Sequence, residues 1–168
     1  AFYGGVIASA QQPAPVSPLP SRLRGLELYI LATKEATSTA DFIARAQAYS
    51  GFVAAAQELS RFAEEGIAAW SKQDAARFLS VVALVGRRLE RLGADAGIPI
   101  VTPVIAEAMR IAGRHGAAAK PSGAGGGDVI VLFAAEEKVA DEVARGAGLT
   151  RIDAKVDPVG LRRERAPG

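Results

Sequence analysis

From Lys120 to Phe133 the chain reads KPSGAGGGDVIVLF. Four glycines in the five positions from Gly123 to Gly127 leave most of this loop without Cβ atoms, so its backbone can adopt positive φ and approach a ligand or another backbone closely. The N–H groups of such a loop form a concavity suited to phosphate or carboxylate oxygens. The apolar run that starts at Val129 predicts a strand that holds one end of the loop. On spacing alone, the stretch indicates either an anion-binding loop or a plain turn between two strands.

Two known phosphate-binding loops fit this stretch poorly. A dinucleotide-binding fingerprint needs a strand before its glycines and a helix after them, whereas here a strand follows. A P-loop ends in Gly-Lys-Ser or Gly-Lys-Thr, which is absent from this run. Lys120 supplies a positive charge and Ser122 a hydroxyl, so both are candidates for holding an anion. Asp128 is expected to accept backbone N–H bonds and fix the loop, since no second carboxylate stands at metal-ligand spacing.

Composition limits the classes of protein that remain. The length of 168 residues predicts one domain, and 49% apolar residues are enough for a packed core. Cysteine is absent, which excludes disulfides and thiolate metal sites. No apolar run is long enough to cross a membrane and the start lacks a basic leader, so a cytoplasmic protein is expected. The basic run from Arg162 to Arg165 lacks interleaved aromatic residues, so no nucleic-acid partner is expected.

Hydrophobic periodicity predicts an α+β domain. Residues 11–20 carry four prolines and read as a connector. The order of strands and helices favours a ferredoxin-like split β-α-β sheet with helices on one face. Ser71 is predicted to cap the third helix, Gly93 and Gly97 to end it, and Thr102 to cap the fourth. The predicted strands cover about 2–9, 26–33, a short segment before the loop, 129–134 and 150–156, and the predicted helices about 39–49, 53–70, 72–92, 103–113 and 136–146.

The start of the first predicted helix is a second candidate anion site. Thr37, Ser38 and Thr39 offer hydroxyl caps, and a helix N-terminus also carries partial positive charge and free N–H groups. Capping alone and capping combined with anion binding both remain open. His115, the single histidine, follows a predicted helix end where cations are favoured, so a structural role is expected for it.

The loop resembles the C-terminal glycine-rich motif of the GHMP kinases, the family of galactokinase, homoserine kinase, mevalonate kinase and phosphomevalonate kinase. Its Lys-Pro-Ser start and Gly-Asp end are most similar to phosphomevalonate kinases. Further segments agree in order along nearly the whole chain: Tyr3-Gly4-Gly5, Leu28 to Thr33 followed by Ala36 to Thr39, Thr102-Pro103, and Gly116 to Lys120.

This resemblance implies the C-terminal half of an ATP- and Mg²⁺-dependent kinase, with 5-phosphomevalonate as acceptor. The family's Gly-Leu-Gly-Ser-Ser type of ATP loop does not occur in this sequence, and its catalytic Asp would precede the Tyr-Gly-Gly strand. Residues 1–20 would then belong to an N-terminal kinase domain, in the same or a separate chain, and residues 21–168 would form the C-terminal domain. The isolated chain is therefore expected to be inactive.

The resemblance also implies roles for individual residues. The expected substrate-binding residues are Lys120, Ser122, Ala124, Ser38 and Thr39, and the expected loop-shaping residues are Gly123, Gly125, Gly126, Gly127 and Asp128. Two alternatives remain beside phosphomevalonate kinase. One is a mevalonate or homoserine kinase, and the other is a ferredoxin-like module that binds a small anion without catalysis.

Overall fold

The computed structural model describes residues 6–8, 17–34, 39–123, 125–154 and 156. Within these residues, helices and strands alternate much as the periodicity predicts. In chain order the elements are β1 (Val6–Ala8), β2 (Ser17–Leu19), β3 (Glu27–Ala32), α1 (Thr39–Ala48), α2 (Phe52–Ser71), α3 (Ala75–Ala96), α4 (Pro103–Arg114), β4 (Ala118–Pro121), β5 (Val129–Ala134), α5 (Glu137–Ala147) and β6 (Thr150–Ile152).

The main sheet has four antiparallel strands in the order β4-β5-β3-β6. Strand β3 lies between β5 and β6, although almost a hundred residues separate it from β5 in the sequence. This order is that of a split β-α-β sheet, so the predicted ferredoxin-like α+β fold is confirmed. The glycine loop joins β4 to β5, which pair from Ala118 opposite Phe133 to Pro121 opposite Ile130.

Helices α4 and α5 cover one face of this sheet. Strand β5 alternates along its length, and Ile130, Leu132 and Ala134 are fully buried against these helices. Ile105 of α4 and Val143 of α5 meet them with no exposed surface. Burying one such branched side chain is worth about 1.5–3 kcal/mol, so this layer fixes both ends of the loop to a rigid base.

Helices α2 and α3 form an antiparallel pair beside the other face of the sheet. Phe133 of β5 points to that side, where its ring lies 4.8 Å from the ring of Phe78 and 6.3 Å from that of Trp70. The Trp70 indole N–H also donates to the Pro20 carbonyl at 2.7 Å. Trp70 therefore belongs to a buried cluster and ties the segment before β3 to the helix pair.

The boundaries of α3 differ from the sequence prediction. Asp74 caps this helix by accepting from the Arg77 N–H at 2.9 Å, whereas Ser71 lies in the last turn of α2 and donates its hydroxyl to Ile67. The prediction that Ser71 caps α3 was therefore wrong. Gly93 does not end the helix either, because it is buried inside the last turns and Gly97 provides the left-handed C-cap with φ 67°.

The predicted connector contains a strand. Strand β2 lies within residues 11–20 and pairs antiparallel with β1, with Pro18 opposite Ile7. Proline is tolerated at such a position because a two-stranded ribbon has free edges that need no N–H donor. Among the described residues, no helix has the length and apolar character needed to cross a bilayer.

Candidate functional site

The glycine loop between β4 and β5 has the backbone that its composition predicts. Gly123, Gly125, Gly126 and Gly127 have φ values of 69°, 82°, 83° and 132°. All four lie in the left-handed range, where a Cβ atom costs roughly 1–2 kcal/mol. Each of these positions therefore favours glycine for its own conformation, before any ligand is considered.

The segment between α3 and α4 holds the loop in place. The Ile100 carbonyl accepts from the Gly126 N–H at 2.9 Å. A Cβ atom at Gly125 would lie 2.5 Å from the same carbonyl oxygen and 2.7 Å from the Ile100 side chain. Gly126 and Gly127 are buried. The loop glycines thus permit close packing against Ile100 as well as an unusual turn, and no sequence pattern indicates this partner.

Both ends of the loop are also bonded into the sheet. The Ser122 N–H donates to the Val129 carbonyl at 2.9 Å, which closes the loop across its base. The Asp128 carbonyl accepts from the Thr33 N–H at 3.1 Å, which ties the end of the loop to the end of β3. Asp128 therefore helps to fix the loop through its backbone carbonyl, while its side chain is exposed.

These bonds limit which N–H groups a ligand can use. The Ser122 and Gly126 N–H groups already donate within the chain. An anion above the loop would depend on other loop N–H groups and on the Ser122 side chain, which is half-buried at the end of β4. The loop is thus a rigid turn with part of its backbone still available to a ligand.

The structure brings α1 close to the loop. Phe42 of α1 and Gly123 of the loop line one hollow of about 340 Å³, with Ile100 between them. Phe42 and Ile100 also share a buried cluster, and the Arg45 guanidinium donates to the Gly97 carbonyl. The two sequence-predicted anion sites, the glycine loop and the start of α1, therefore lie on one side of the domain.

Some of the expected site residues fall outside this description. Ser38 and Ala124 are not among the described residues, and nor is the neighbouring Thr37. Thr39 is the first residue of α1, although its side chain is not described. The helix begins at Thr39, as the sequence predicts.

Lys120 lies on β4 with its side chain turned away from the loop glycines. Its ammonium donates to the Pro121 carbonyl at 2.9 Å and lines a cavity between the sheet and the α2–α3 pair. Burial lowers the pKa of Lys120 below its ordinary value of 10.5. The Lys120 side chain therefore lies on the same sheet face as Val131, behind the loop, whereas the sequence predicted its charge at the mouth of the loop.

His115 and the possible metal ligands are the remaining candidates. His115 is the C-cap residue of α4, and its Nδ1 lies 3.2 Å from a Glu142 carboxylate oxygen. This position agrees with the structural role expected for it. In the part of the chain that the structure describes, no group of three His, Cys, Asp or Glu side chains is placed to hold a metal ion.

Comparison with known proteins relates part of this chain to one family. Residues 69–148, just under half of the chain, match the family model described as GHMP kinases C terminal. No curated protein sequence matches the chain. The matched range contains α3, α4, the Ile100 segment, the glycine loop and both strands that carry the loop.

Solved structures share the fold. A Lin0012 protein from Listeria innocua is 22% identical with a TM-score of 0.73, covering 82% of this chain and 41% of that one. Streptococcus pneumoniae phosphomevalonate kinase, in complex with phosphomevalonate and AMPPNP, is 19% identical with a TM-score of 0.65, covering 82% and 43%. L. major mevalonate kinase, in complex with R-mevalonate, is 18% identical with a TM-score of 0.71, covering 95% and 51%.

These identities show likeness of fold, and the chain spans only two fifths to half of the length of the proteins it matches. The family model is the more specific finding because it includes the loop itself. It agrees with the resemblance carried by the Lys-Pro-Ser start and Gly-Asp end of that loop. Residues 69–148 of the chain therefore match the C-terminal domain of the GHMP kinases, and the glycine loop lies inside that matched range.

Proposed function

We propose that the protein to which this chain belongs is an ATP-dependent small-molecule kinase that phosphorylates the phosphate group of 5-phosphomevalonate. The single observation that carries the proposal is the glycine loop, with four residues at positive φ clamped between two strands and the Ile100 carbonyl. Its match to the GHMP family model supports the class of reaction. Its Lys-Pro-Ser start and Gly-Asp end support the choice of acceptor.

Phosphoryl transfer suits a loop of this kind because the reaction depends mainly on positioning and charge stabilisation. A loop fixed at both ends holds its donors in place before the acceptor arrives, so little ordering remains to be done on binding. We assign contact with the acceptor to the Ser122 hydroxyl and the Ala124 N–H. The glycines and Asp128 keep these donors in position, and Lys120 adds positive charge from behind the loop.

The start of α1 is proposed to complete the anion site. A helix N-terminus presents free N–H groups and partial positive charge toward an anion. Thr39 is the first residue of α1, Ser38 precedes it in the sequence, and α1 shares a hollow with Gly123. An acceptor phosphate between α1 and the loop would then have donors on both sides.

ATP and Mg²⁺ are proposed to bind mainly outside this chain. Its described residues offer no cluster of acidic side chains for a metal ion, so no metal-dependent step is assigned to them. The sequence also lacks the family's Gly-Leu-Gly-Ser-Ser type of ATP loop. We propose that an N-terminal kinase domain, in the same chain or a partner chain, supplies that loop and the catalytic Asp, and that residues 1–20 belong to it.

A mevalonate kinase is the second candidate. The L. major enzyme, in complex with R-mevalonate, matches 95% of this chain, more than the S. pneumoniae enzyme does. A homoserine kinase or an anion-binding module without catalysis has weaker support, since neither explains the Lys-Pro-Ser start of the loop.

The test is an assay of ADP release by the whole kinase with a panel of acceptors. The protein containing both domains is supplied with MgATP and, in separate reactions, 5-phosphomevalonate, mevalonate or homoserine. The proposal expects the highest kcat/KM with 5-phosphomevalonate. A higher value with mevalonate would establish the second candidate, and no acceptor-dependent ADP release would favour the non-catalytic module.

A further inference from the structure

A second, larger cavity among the described residues lies apart from the glycine loop. It has a volume of about 1120 Å³ and lies between the α2–α3 pair and the sheet face opposite the main core, partly open to solvent. Ile30 and Val131 form its floor on the sheet, while Phe62 of α2 and Val85 of α3 form its roof. Neither Ser122 nor any described loop glycine lines it, so Lys120 is the one described residue that it shares with the proposed acceptor site.

Two cationic side chains line the cavity: Lys120, which is half-buried, and Arg22, which is exposed. Lys120 projects from β4 beside Val131, and its ammonium has one described acceptor, the Pro121 carbonyl at 2.9 Å. An ammonium can donate three hydrogen bonds. Among the described residues, no carboxylate forms an ion pair with Lys120, and Glu27, which lines the outer part of the cavity, pairs instead with the exposed Arg22 at 3.9 Å.

A buried charge without a counter-ion is unfavourable, and an anion that enters with it relieves part of that cost. The desolvation that lowers the pKa of Lys120 is evidence that water only partly solvates the ammonium. The apolar walls exclude a bare phosphate or a nucleotide, whose charges would be mostly unpaired there. The chemistry that fits is one apolar body with one charged end, in a volume near the upper range of small-molecule sites.

We propose that this cavity binds an amphiphile with a single anionic head, which pairs with Lys120 while its hydrocarbon chain lies between the sheet and the α2–α3 pair. A long-chain carboxylate and an alkyl monophosphate share this chemistry. The proposal goes beyond the kinase reaction and does not depend on it, because the cavity and the loop have different linings.

Trp70 makes the proposal measurable. It is the single tryptophan of the chain, and its indole lines the cavity in edge contact with Phe78 and Phe133. Dodecanoate is titrated into the full chain below its micelle concentration while tryptophan emission is recorded, without ATP or any acceptor. Parallel titrations use dodecyl phosphate and, as a probe without charge, 1-dodecanol.

Two variants and one control accompany these titrations. Lys120→Met keeps an apolar side chain of similar length and removes the charge, and Ala63→Phe fills the cavity from α2. Lys138→Met removes a charge from an exposed site on α5 and serves as the matched control. Thermal melts establish that each variant is folded.

Saturable binding of dodecanoate or dodecyl phosphate is expected, weakened about ten- to a hundredfold by Lys120→Met. Ala63→Phe should abolish it and Lys138→Met should leave it unchanged. The tighter of the two anions identifies the head group. The proposal is overturned if neither anion binds, or if 1-dodecanol binds as tightly as both. It is also overturned if binding appears only when the chain is cut after Val156, since the occupant would then be residues 157–168.

Discussion

At the scale of single residues, the glycine loop was the most predictable part of the site. Its composition predicted positive φ, and all four glycines adopt it. Composition did not reveal that Gly125 packs closely against the Ile100 carbonyl, because that carbonyl lies more than twenty residues earlier in the sequence. A contact of that kind depends on the tertiary fold and leaves no local pattern.

Replacing Gly125 with alanine should damage both stability and the proposed activity. The new Cβ would lie 2.5 Å from the Ile100 carbonyl oxygen at a φ of 82°. The left-handed backbone alone costs roughly 1–2 kcal/mol, and each kcal/mol lowers the melting temperature by about 2–4 °C in a protein of this size. The matched control is Gly113→Ala, at an exposed helical position with open space, which should be neutral or stabilising by up to about 1 kcal/mol. Equal melting curves for the two variants would contradict this account of the loop.

Ser122→Ala should affect the acceptor and leave the fold intact. The Ser122 N–H keeps its bond to Val129 in the variant, so the loop base is preserved. A lost hydrogen bond to a charged acceptor costs about 1.5–3 kcal/mol, which corresponds to a ten- to hundredfold lower kcat/KM for the acceptor. The KM for ATP should stay the same. Kinetics with each substrate varied in turn provide the measurement, and an unchanged acceptor kcat/KM would remove Ser122 from the site.

Lys120→Met should raise stability at neutral pH, by an amount that falls in alkali. Burial lowers the pKa of Lys120 in the folded protein below 10.5, so folding penalises its charged form. That penalty is fully present below the lowered pKa and disappears as the pH rises through it toward 10.5, because the folded side chain then loses its proton. Removing the charge should therefore stabilise most at pH 7.

The control for this prediction is Lys138→Met. Glu136 raises the pKa of Lys138, so that charge favours folding and its removal should not stabilise. Melting temperatures of both variants and the unmodified chain are compared between pH 7 and pH 10.5. If Lys120→Met raises the melting temperature by the same amount at every pH, the cause is packing and the charge of Lys120 is not responsible.

At the scale of helices and strands, elements with unambiguous local signals were predicted closely. Strand β5 spans 129–134, as its β-branched run indicated, and Thr102 with Pro103 marked the start of α4. The start of α3 was missed because Ser71 and Asp74 both have the chemistry of a cap. A left-handed turn at Gln73, with φ 58°, makes Asp74 the cap, and no sequence pattern indicates such a turn at glutamine.

Gly93 shows how a helix end supports the loop. Its Cβ would lie 2.5 Å from the Ile98 carbonyl and 3.2 Å from the Ile100 nitrogen, in the segment that holds the loop. Gly93 is a helix residue without positive φ, and the sequence predicted a helix end at this position. The structure corrects this, because the residue is buried inside the last turns of α3.

Gly93→Ala should therefore destabilise the chain and, through Ile100, lower the proposed activity. Replacing glycine with alanine inside a helix raises helix propensity by about 1 kcal/mol, which opposes the clash. The net loss of stability should therefore be smaller than for Gly125→Ala. Gly113→Ala again serves as the control, since it gives the same propensity gain without a clash. Thermal melts of the three variants measure the order, and a stabilised Gly93→Ala variant would contradict the packing described here.

At the scale of the whole molecule, the ferredoxin-like arrangement followed from the order of elements, but the cavity did not. Apolar residues recur along one face of α3, and Phe78, Val82, Val85 and Leu89 of that face line the cavity. Periodicity indicates that such a stripe faces something apolar, without indicating how closely. The distance between α3 and the sheet is set by β4, where Gly86 allows the helix to approach the Ala119 carbonyl.

The two domains of the proposed kinase are expected to contribute different groups to the reaction. The chain spans about half or less of the kinases that share its fold. We expect the isolated chain to show no magnesium-dependent ADP release with any acceptor. Turnover by the purified 168-residue chain above a blank without protein would place the catalytic groups inside it and contradict the proposed division.

The most direct test of the account is the kcat/KM for 5-phosphomevalonate of the two-domain kinase, measured for the unmodified protein, Gly125→Ala and Gly113→Ala. The account predicts acceptor-dependent ADP formation in the unmodified protein and in Gly113→Ala, and a loss of at least about tenfold in Gly125→Ala at a temperature where all three remain folded. Unmodified kinetics in Gly125→Ala would show that the glycine loop takes no part in the reaction.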